Sequence, residues 1–328
     1  MVVSKMVAEE NVDDLTYQHV YITYSKDCDT RLLGTSGGFI TELNRFLFEE
    51  NKIKSSIAYF FSGKELFKPL IIYKSQDIVQ AGSIYHEVDL LNFLKSNIDK
   101  IKSPIFITCL PCQCNPIEIL MKSHNIEYVL VSLICSQQCE KNATYDFLKR
   151  QRIDINNVMD LRYRGNGWPS GMQVIEKDGE KHFFHNSKSE WNMYFHSTIY
   201  TMKRCFYCNK TFGTNADFSV SDPWIPRYSK KDAIGHSIVG VTSSQANQIL
   251  KKMEKSNRIK ILEEISLNEF FNSQLGAVQK KKAYKNFYFY KKAIAFFRTS
   301  TYKNFFNKYP KLHNTINKFC RYFFVKMV

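Results

Sequence analysis

No stretch of this 328-residue chain is apolar for long enough to read as a membrane-spanning helix. The longest mainly apolar run, residues 128–135, has eight residues, where about 18 are needed. Nucleotide signatures are also missing. There is no GxxxxGK(S/T), which argues against a P-loop nucleotidase, and no GxGxxG after a strand-like segment, which argues against an ordinary dinucleotide fold. Without a GxSxG elbow or an HExxH pair, neither a hydrolase serine nor a zincin site is indicated. The opening segment, MVVSKMVAEENVDD, is acidic and has no apolar core. No secretory signal is expected, and the expected compartment is the reducing cytoplasm. The last fifty residues, 279–328, lack Asp and Glu altogether.

That last absence gives the net charge of +15 a location. Residues 279–328 hold thirteen Lys and Arg, whereas residues 1–278 hold 33 basic against 31 acidic side chains. The basic segment is aromatic too, with 15 Phe and Tyr between positions 284 and 324. Basic plus aromatic composition suits an interfacial helix at a membrane, a helical subdomain packed on the body, or nucleic acid. The expectation is a membrane surface at the inner face, with no nucleic-acid partner. For the body, 44% apolar and 23% charged residues are ordinary globular usage. They exclude a mainly disordered, collagen-like or coiled-coil chain and leave one large or two ordinary domains.

Seven of the nine cysteines fall in three tight groups: CLPCQC at 109–114, CSQQC at 135–139 and CFYC at 205–208. In a reducing compartment disulfides are poor staples, and clustered thiols point to metal or redox chemistry. Thiolates select zinc, copper(I) or iron–sulfur clusters. The two CxxC pairs at 109/112 and 205/208 are separated by 92 residues, too far for a zinc ribbon, and no compact C-x2-C-x2-C ferredoxin run is present. What remains is a four-thiolate site assembled by the fold. Cys112 and Cys135 each follow a strand-like run, at the carboxyl ends where open α/β sheets bind ligands. Pro111, Gln113 and Gln138 mark loops there. The alternative is that these cysteines are small apolar core residues.

The remaining pattern alternates strands and helices. HVYITY (19–24), SIAYFF (56–61), PLIIY (69–73), IFITC and EYVLVSLIC read as strands, and FITELNRFLFEE has helical periodicity with Thr35 or Ser36 as N-cap. The Ser36-Gly37-Gly38 loop that opens this helix offers backbone N–H groups to an anion. IFITC, a helix near 116–123 and EYVLVSLIC form a strand–helix–strand unit with parallel pairing. GNG, PSG and KDG turns between 165 and 179 predict a β-rich insert. The expected fold is α/β: a mixed sheet with flanking helices, a β-rich insert and a helical basic C-terminal tail.

In chain order, SKDCDTRLLGTSGGFITELNRFL, AGSIYHE, CLPCQC, SLICSQQC, RYRGNGWP, CFYC, ADFSVSDPW and GHSIVGVTS resemble the coenzyme F420 hydrogenase/dehydrogenase beta-subunit family. The resemblance spans roughly residues 20–245. It implies an α/β flavoprotein with non-covalent FAD and one [4Fe-4S] cluster. Carried over motif by motif, the implied cluster ligands are Cys112, Cys135, Cys205 and Cys208. Cys109, Cys114 and Cys139 are then spare, and Cys109 stands where the family commonly has glycine. Ser36, Gly37 and Gly38, together with Gly82, Ser83 and Tyr85, correspond to flavin-contacting loops. Arg164 and Asp222 are further candidates for the cofactor or substrate pocket; the alternative for each is one half of a structural ion pair.

The family's N-terminal ferredoxin-like segment is not seen before Ser36. Electrons are therefore expected from a separate donor, such as a ferredoxin or a reduced deazaflavin, flavin or nicotinamide. Relatives outside methanogens occur with surface-polysaccharide genes, which suggests a small or lipid-linked glycan substrate. The expected organisation is an oxidoreductase body over 1–278, with an N-terminal part at about 18–98 and a C-terminal part at about 99–278, followed by the tail 279–328. The rival expectation is a non-catalytic adaptor, zinc-stapled or cofactor-free, that docks at a membrane through the tail.

Overall fold

The computed structural model describes residues 11–186, 188–230, 233–285, 295–313 and 315–316. The apolar runs build an eight-stranded mixed sheet from β1 (His19–Ser25), β2 (Ser55–Phe61), β3 (Phe67–Ile72), β4 (Ile105–Cys109), β5 (Tyr128–Leu133), β9 (Phe218–Ser221), β10 (Ser237–Val241) and β11 (Ile259–Glu264). Between β5 and β9 come β6 (Val158–Arg162), β7 (Gly171–Glu176) and β8 (Lys181–His185), a separate antiparallel sheet. It is the β-rich insert that the GNG, PSG and KDG turns announced. The large sheet runs β11–β1–β10–β9–β5–β4–β2–β3. Its centre, β2–β4–β5–β9, is parallel, and both flanks are antiparallel. Ile105 lies opposite Tyr128 and Cys109 opposite Ser132, as a strand–helix–strand unit requires.

Eleven described helices cover this frame: α1 (Cys28–Leu33), α2 (Phe39–Glu49), α3 (Leu90–Ser96), α4 (Pro111–Ser123), α5 (Asn142–Arg150), α6 (Trp191–His196), α7 (Pro226–Ser229), α8 (Ser244–Lys255), α9 (Leu267–Ser273), α10 (Leu275–Lys285) and α11 (Ser300–Lys308). Successive strand residues face opposite sides. Accordingly Phe106 and Val131 pack with Leu43 and Phe46 of α2 and Leu250 of α8, whereas Ile105, Ile107 and Leu130 pack with Leu94 of α3 and Ile117 of α4. A further core joins Tyr163, Met172 and Val174 beside the small sheet to Trp191 and Tyr194 of α6 and to Tyr302 and Phe306 of α11.

The segment before Gly34 forms α1, with the Asp27 side chain accepting from the Thr30 N–H at 2.7 Å. Two local expectations need correcting. Neither Thr35 nor Ser36 caps α2. The N-cap is Gly38 at φ +76°, where a Cβ would lie 2.8 Å from the Thr30 carbonyl, so glycine alone combines this backbone with this closeness. Pro111 and Gln113 do not mark a loop. Pro111 starts α4 at its first position, and the Gln113 side chain accepts from the Leu110 N–H at 2.9 Å, the usual geometry of a helix start. Cys112 therefore sits in the first turn of a helix.

The described part of the C-terminal segment is helical, as its pattern suggests, and it is docked on the body. Phe297, Tyr302 and Phe306 are buried. Arg298 donates to the Thr201 carbonyl at 2.7 Å and pairs with Glu140. Residues 286–294, 314 and 317–328, which carry the rest of the membrane expectation, lie outside the described residues. Among the described residues, no helix is long and apolar enough to cross a membrane.

Candidate metal centre

Three chain segments converge beyond the carboxyl ends of β4 and β5. Cys112 comes from the first turn of α4, and Cys135 follows β5 by two residues. Cys205 sits in the short 3-10 helix Lys203–Phe206, and Cys208 follows it. The sulfurs feel one another. Cys112 shares a hydrogen bond with Cys208 and lies close to Cys135. Cys135 in turn lies close to Cys205 and Cys208. Backbone contacts hold the loops: the Cys135 N–H donates to the Thr211 carbonyl at 3.1 Å, and the Gln138 N–H donates to Cys205 Sγ at 3.4 Å.

The electrostatics divide these thiols. Cys208 is held down to about 5, first by the hydrogen bond from Cys112 and then, against burial, by Lys281. The same bond pushes Cys112 up. Burial pushes Cys135 up to about 11 and raises Cys205, with Lys281 opposing in both cases. Cations border the group: Arg204 acts on Cys112 and Cys205, Lys281 on Cys135, Cys205 and Cys208, and Lys280 on Cys135. Bound metal requires deprotonated thiols, and these cations favour that state.

The donor set consists of thiols alone, which suits soft metals. A tetrahedral zinc site with bonds near 2.3 Å would bring its thiolates to about 3.8 Å from one another. Among the described residues, no three cysteine sulfurs lie within 4.8 Å of one another. One group does meet the 4.8 Å closeness, Glu176, Glu180 and His182 on the β7–β8 hairpin; His182 Nε2 meets Glu176 Oε1 at 2.7 Å, the contact of an ordinary surface pair.

The other grouped cysteines are placed differently. Cys109 and Cys114 face each other at 3.5 Å inside the core under α4. Cys139 lies close to Cys205, yet its thiol donates to the Phe195 carbonyl at 3.1 Å, its backbone bridges His86 and Thr201, and burial pushes it up to about 12.

The eight residues expected at a cofactor are engaged within the protein, three of them with one another at Arg164. Arg164 is the hub: it donates to Asp222 at 2.8 Å, to the Thr35 carbonyl at 2.8 Å and to the Tyr85 hydroxyl at 3.4 Å. Arg164 and Asp222 are each other's ion-pair partners, both largely buried. The Ser83 N–H donates to Thr35 Oγ1 at 2.7 Å, and a Cβ on Gly82, at φ +72°, would lie 2.8 Å from the Arg164 carbonyl. Ser36 Oγ donates to the His236 carbonyl, and the Gly37 N–H donates to Ser237 Oγ at 3.0 Å. Gly38 caps α2. Among these side chains the unpartnered buried donor is Arg164 Nε.

Lys281 falls in the segment that reads as a tail, and nothing in its local pattern ties it to the cysteines. Gln274, Val278, Lys281 and Tyr284 are all buried, the last three on α10 and Gln274 just before it. A lysine standing in a helical stripe of otherwise uncharged residues was the available signal.

Residues 103–266, half of the chain, match the family described as the C terminus of the coenzyme F420 hydrogenase/dehydrogenase beta subunit. No curated protein matches the sequence. The fold is similar to that of a chain in the F420-reducing [NiFe] hydrogenase complex from Methanosarcina barkeri, solved as a xenon derivative. The TM-score is 0.62 at 16% identity, over 84% of this chain and 93% of that one. At such identity the likeness is one of fold.

Proposed function

This chain belongs to the coenzyme F420 hydrogenase/dehydrogenase beta-subunit family, and we propose on that premise that it is an iron–sulfur oxidoreductase whose Cys112, Cys135, Cys205 and Cys208 hold a [4Fe-4S] cluster. The observation that carries the proposal is the meeting of these four thiols, from three distant segments, beside Arg204, Lys280 and Lys281. When bound, such a cluster supplies one-electron transfer, at a potential set by its net charge and the hydrogen bonds to its sulfurs. The chain's own part is to deliver thiolates, to donate the Gln138 N–H to Cys205, and to surround the thiolates with positive charge.

Access supports exchange with another redox carrier. Cys112 is exposed, Cys208 is partly exposed, and Tyr207 between the CxxC cysteines is 72% exposed. The donor in this reading is a ferredoxin-like protein or a reduced deazaflavin, flavin or nicotinamide. FAD enters as the two-electron group that the family resemblance implies. No contact to it is assigned: Arg164 bonds Tyr85 and Asp222, and Ser36, Gly37 and Ser83 bond His236, Ser237 and Thr35. A small or lipid-linked glycan substrate in surface-polysaccharide synthesis is the setting that the same resemblance suggests. A membrane role for 279–328 rests on its charge and on the exposed Phe296 and Tyr309; Phe297, Tyr302 and Phe306 are in the core.

Single Cys→Ser variants test the ligand assignment. After anaerobic reconstitution, C112S, C135S, C205S and C208S are expected to lose most bound iron, while C109S and C114S keep the wild-type amount. Full iron in any of the first four would remove that residue from the centre.

A further inference from the structure

Lys281 is 6% exposed. Its Nζ donates to Cys208 Sγ at 3.5 Å and to the Lys210 carbonyl. No carboxylate among the described residues pairs with it; its polar partners are that sulfur and that carbonyl. A buried ammonium is costly unless a counter-charge and hydrogen bonds compensate it, so this lysine is placed to meet negative charge at the cysteine site. It also acts on Cys135 and Cys205, which makes it common to three of the four sulfurs. Two anchors hold it in place. Tyr284, on the same face of α10, donates to Gln137 Oε1 at 3.0 Å, and Val278 packs against the β1–β10 side of the sheet with Ile22 and Ile238. The helix lies beyond residues 103–266, so the family match does not include it.

We propose that Lys281 is a positioning residue that sets the reduction potential of the iron–sulfur group at Cys112, Cys135, Cys205 and Cys208, and that α10 is thereby a working part of the centre. The inference rests on the cluster reading above. One-electron reduction adds a negative charge to the cluster, and no bond to Lys281 forms or breaks. A fixed cation in contact with a ligand sulfur stabilises the reduced form more than the oxidised one, because attraction scales with the charge it faces and buried charges are weakly screened. Removing the cation must make the cluster harder to reduce.

The test is a potentiometric titration of reconstituted full-length protein, followed by low-temperature EPR, with iron and sulfide assayed on each sample. Wild type, Lys281→Met and Lys281→Arg are compared. The expected result is equal iron in all three, a reduced-to-oxidised ratio at fixed potential at least tenfold lower in K281M, and near-wild-type behaviour in K281R. For a one-electron couple a tenfold change is about 59 mV. Should K281M fail to retain iron, Lys281→Gln, which keeps a hydrogen-bond donor without the charge, takes its place. Full iron with an unchanged midpoint in the uncharged variant overturns the role of Lys281 and leaves the cluster reading standing. A wild-type protein that takes up no iron overturns the cluster reading itself, so the two failures are told apart by the iron assay.

Discussion

His86 is locked neutral by its neighbours. Its Nδ1 meets the Glu87 carbonyl at 2.7 Å and must donate there, so Nε2 is left to accept the Phe67 N–H at 3.2 Å. Burial lowers its pKa to about 4 from an ordinary value near 6.5. The unfolded chain then binds the extra proton at a higher pH than the folded one, so stability falls as pH drops from about 6.5 to about 4. The full loss is about 3 kcal/mol for this group. Urea unfolding across that range is expected to give a steeper fall for wild type than for His86→Gln; parallel profiles would contradict the assignment. Arg164 argues a second case at this scale. Arg164→Met leaves Asp222 buried without its partner, at an expected cost of about 3–5 kcal/mol. The double variant with Asp222→Leu should recover a large part of it, and simple additivity of the two costs would argue against direct coupling. The sequence singled out both residues without showing that they meet. Their separation of 58 positions is closed by the fold, through contacts with Thr35 and Tyr85 that no local pattern encodes. The cysteine groups were plain to read, but spacing alone did not separate Cys112 from Cys114, which sits two residues away and points into the core against Cys109.

At the scale of elements, periodicity served where a helix or strand has one clear face. β4, α4 and β5 follow their apolar patterns, and so does α2 with Phe39, Leu43, Phe46 and Leu47 buried. It failed at ends. The Leu-Pro-Cys-Gln start of α4 looks like a loop because proline is a common loop residue, yet proline at a first helical position costs no hydrogen bond. The helix α11 is the larger lesson. Aromatic side chains among lysines have the same composition whether they face a lipid surface or a protein core. Phe306 settles the matter for its own turn: fully buried, it lies edge-on to Tyr194 at 4.9 Å between ring centroids and packs near Tyr200. Phe306→Ala is expected to cost about 3–5 kcal/mol in chemical denaturation. Leu312→Ala, at a side chain 51% exposed, should stay within about 0.5 kcal/mol. Equal small effects would mean that α11 is not part of the folded body.

Over the whole molecule, one mixed sheet draws its strands from both 18–98 and 99–278, and its carboxyl ends carry the cysteine-bearing loops. That arrangement explains why thiols more than 90 positions apart can serve one centre, and why the centre was legible as a set of groups rather than as a geometry. The C-terminal helices close the assembly, with α10 bringing Lys281 to the sulfurs and α11 completing the core beside the small sheet. The four converging thiols are proposed to hold a multi-iron cluster. Iron, acid-labile sulfide and zinc, assayed together with the absorption spectrum on protein purified and reconstituted without oxygen, test it most directly. About four irons with matching sulfide per chain are expected, as a [4Fe-4S] cluster requires. One zinc per chain, or no metal after reconstitution, would contradict it.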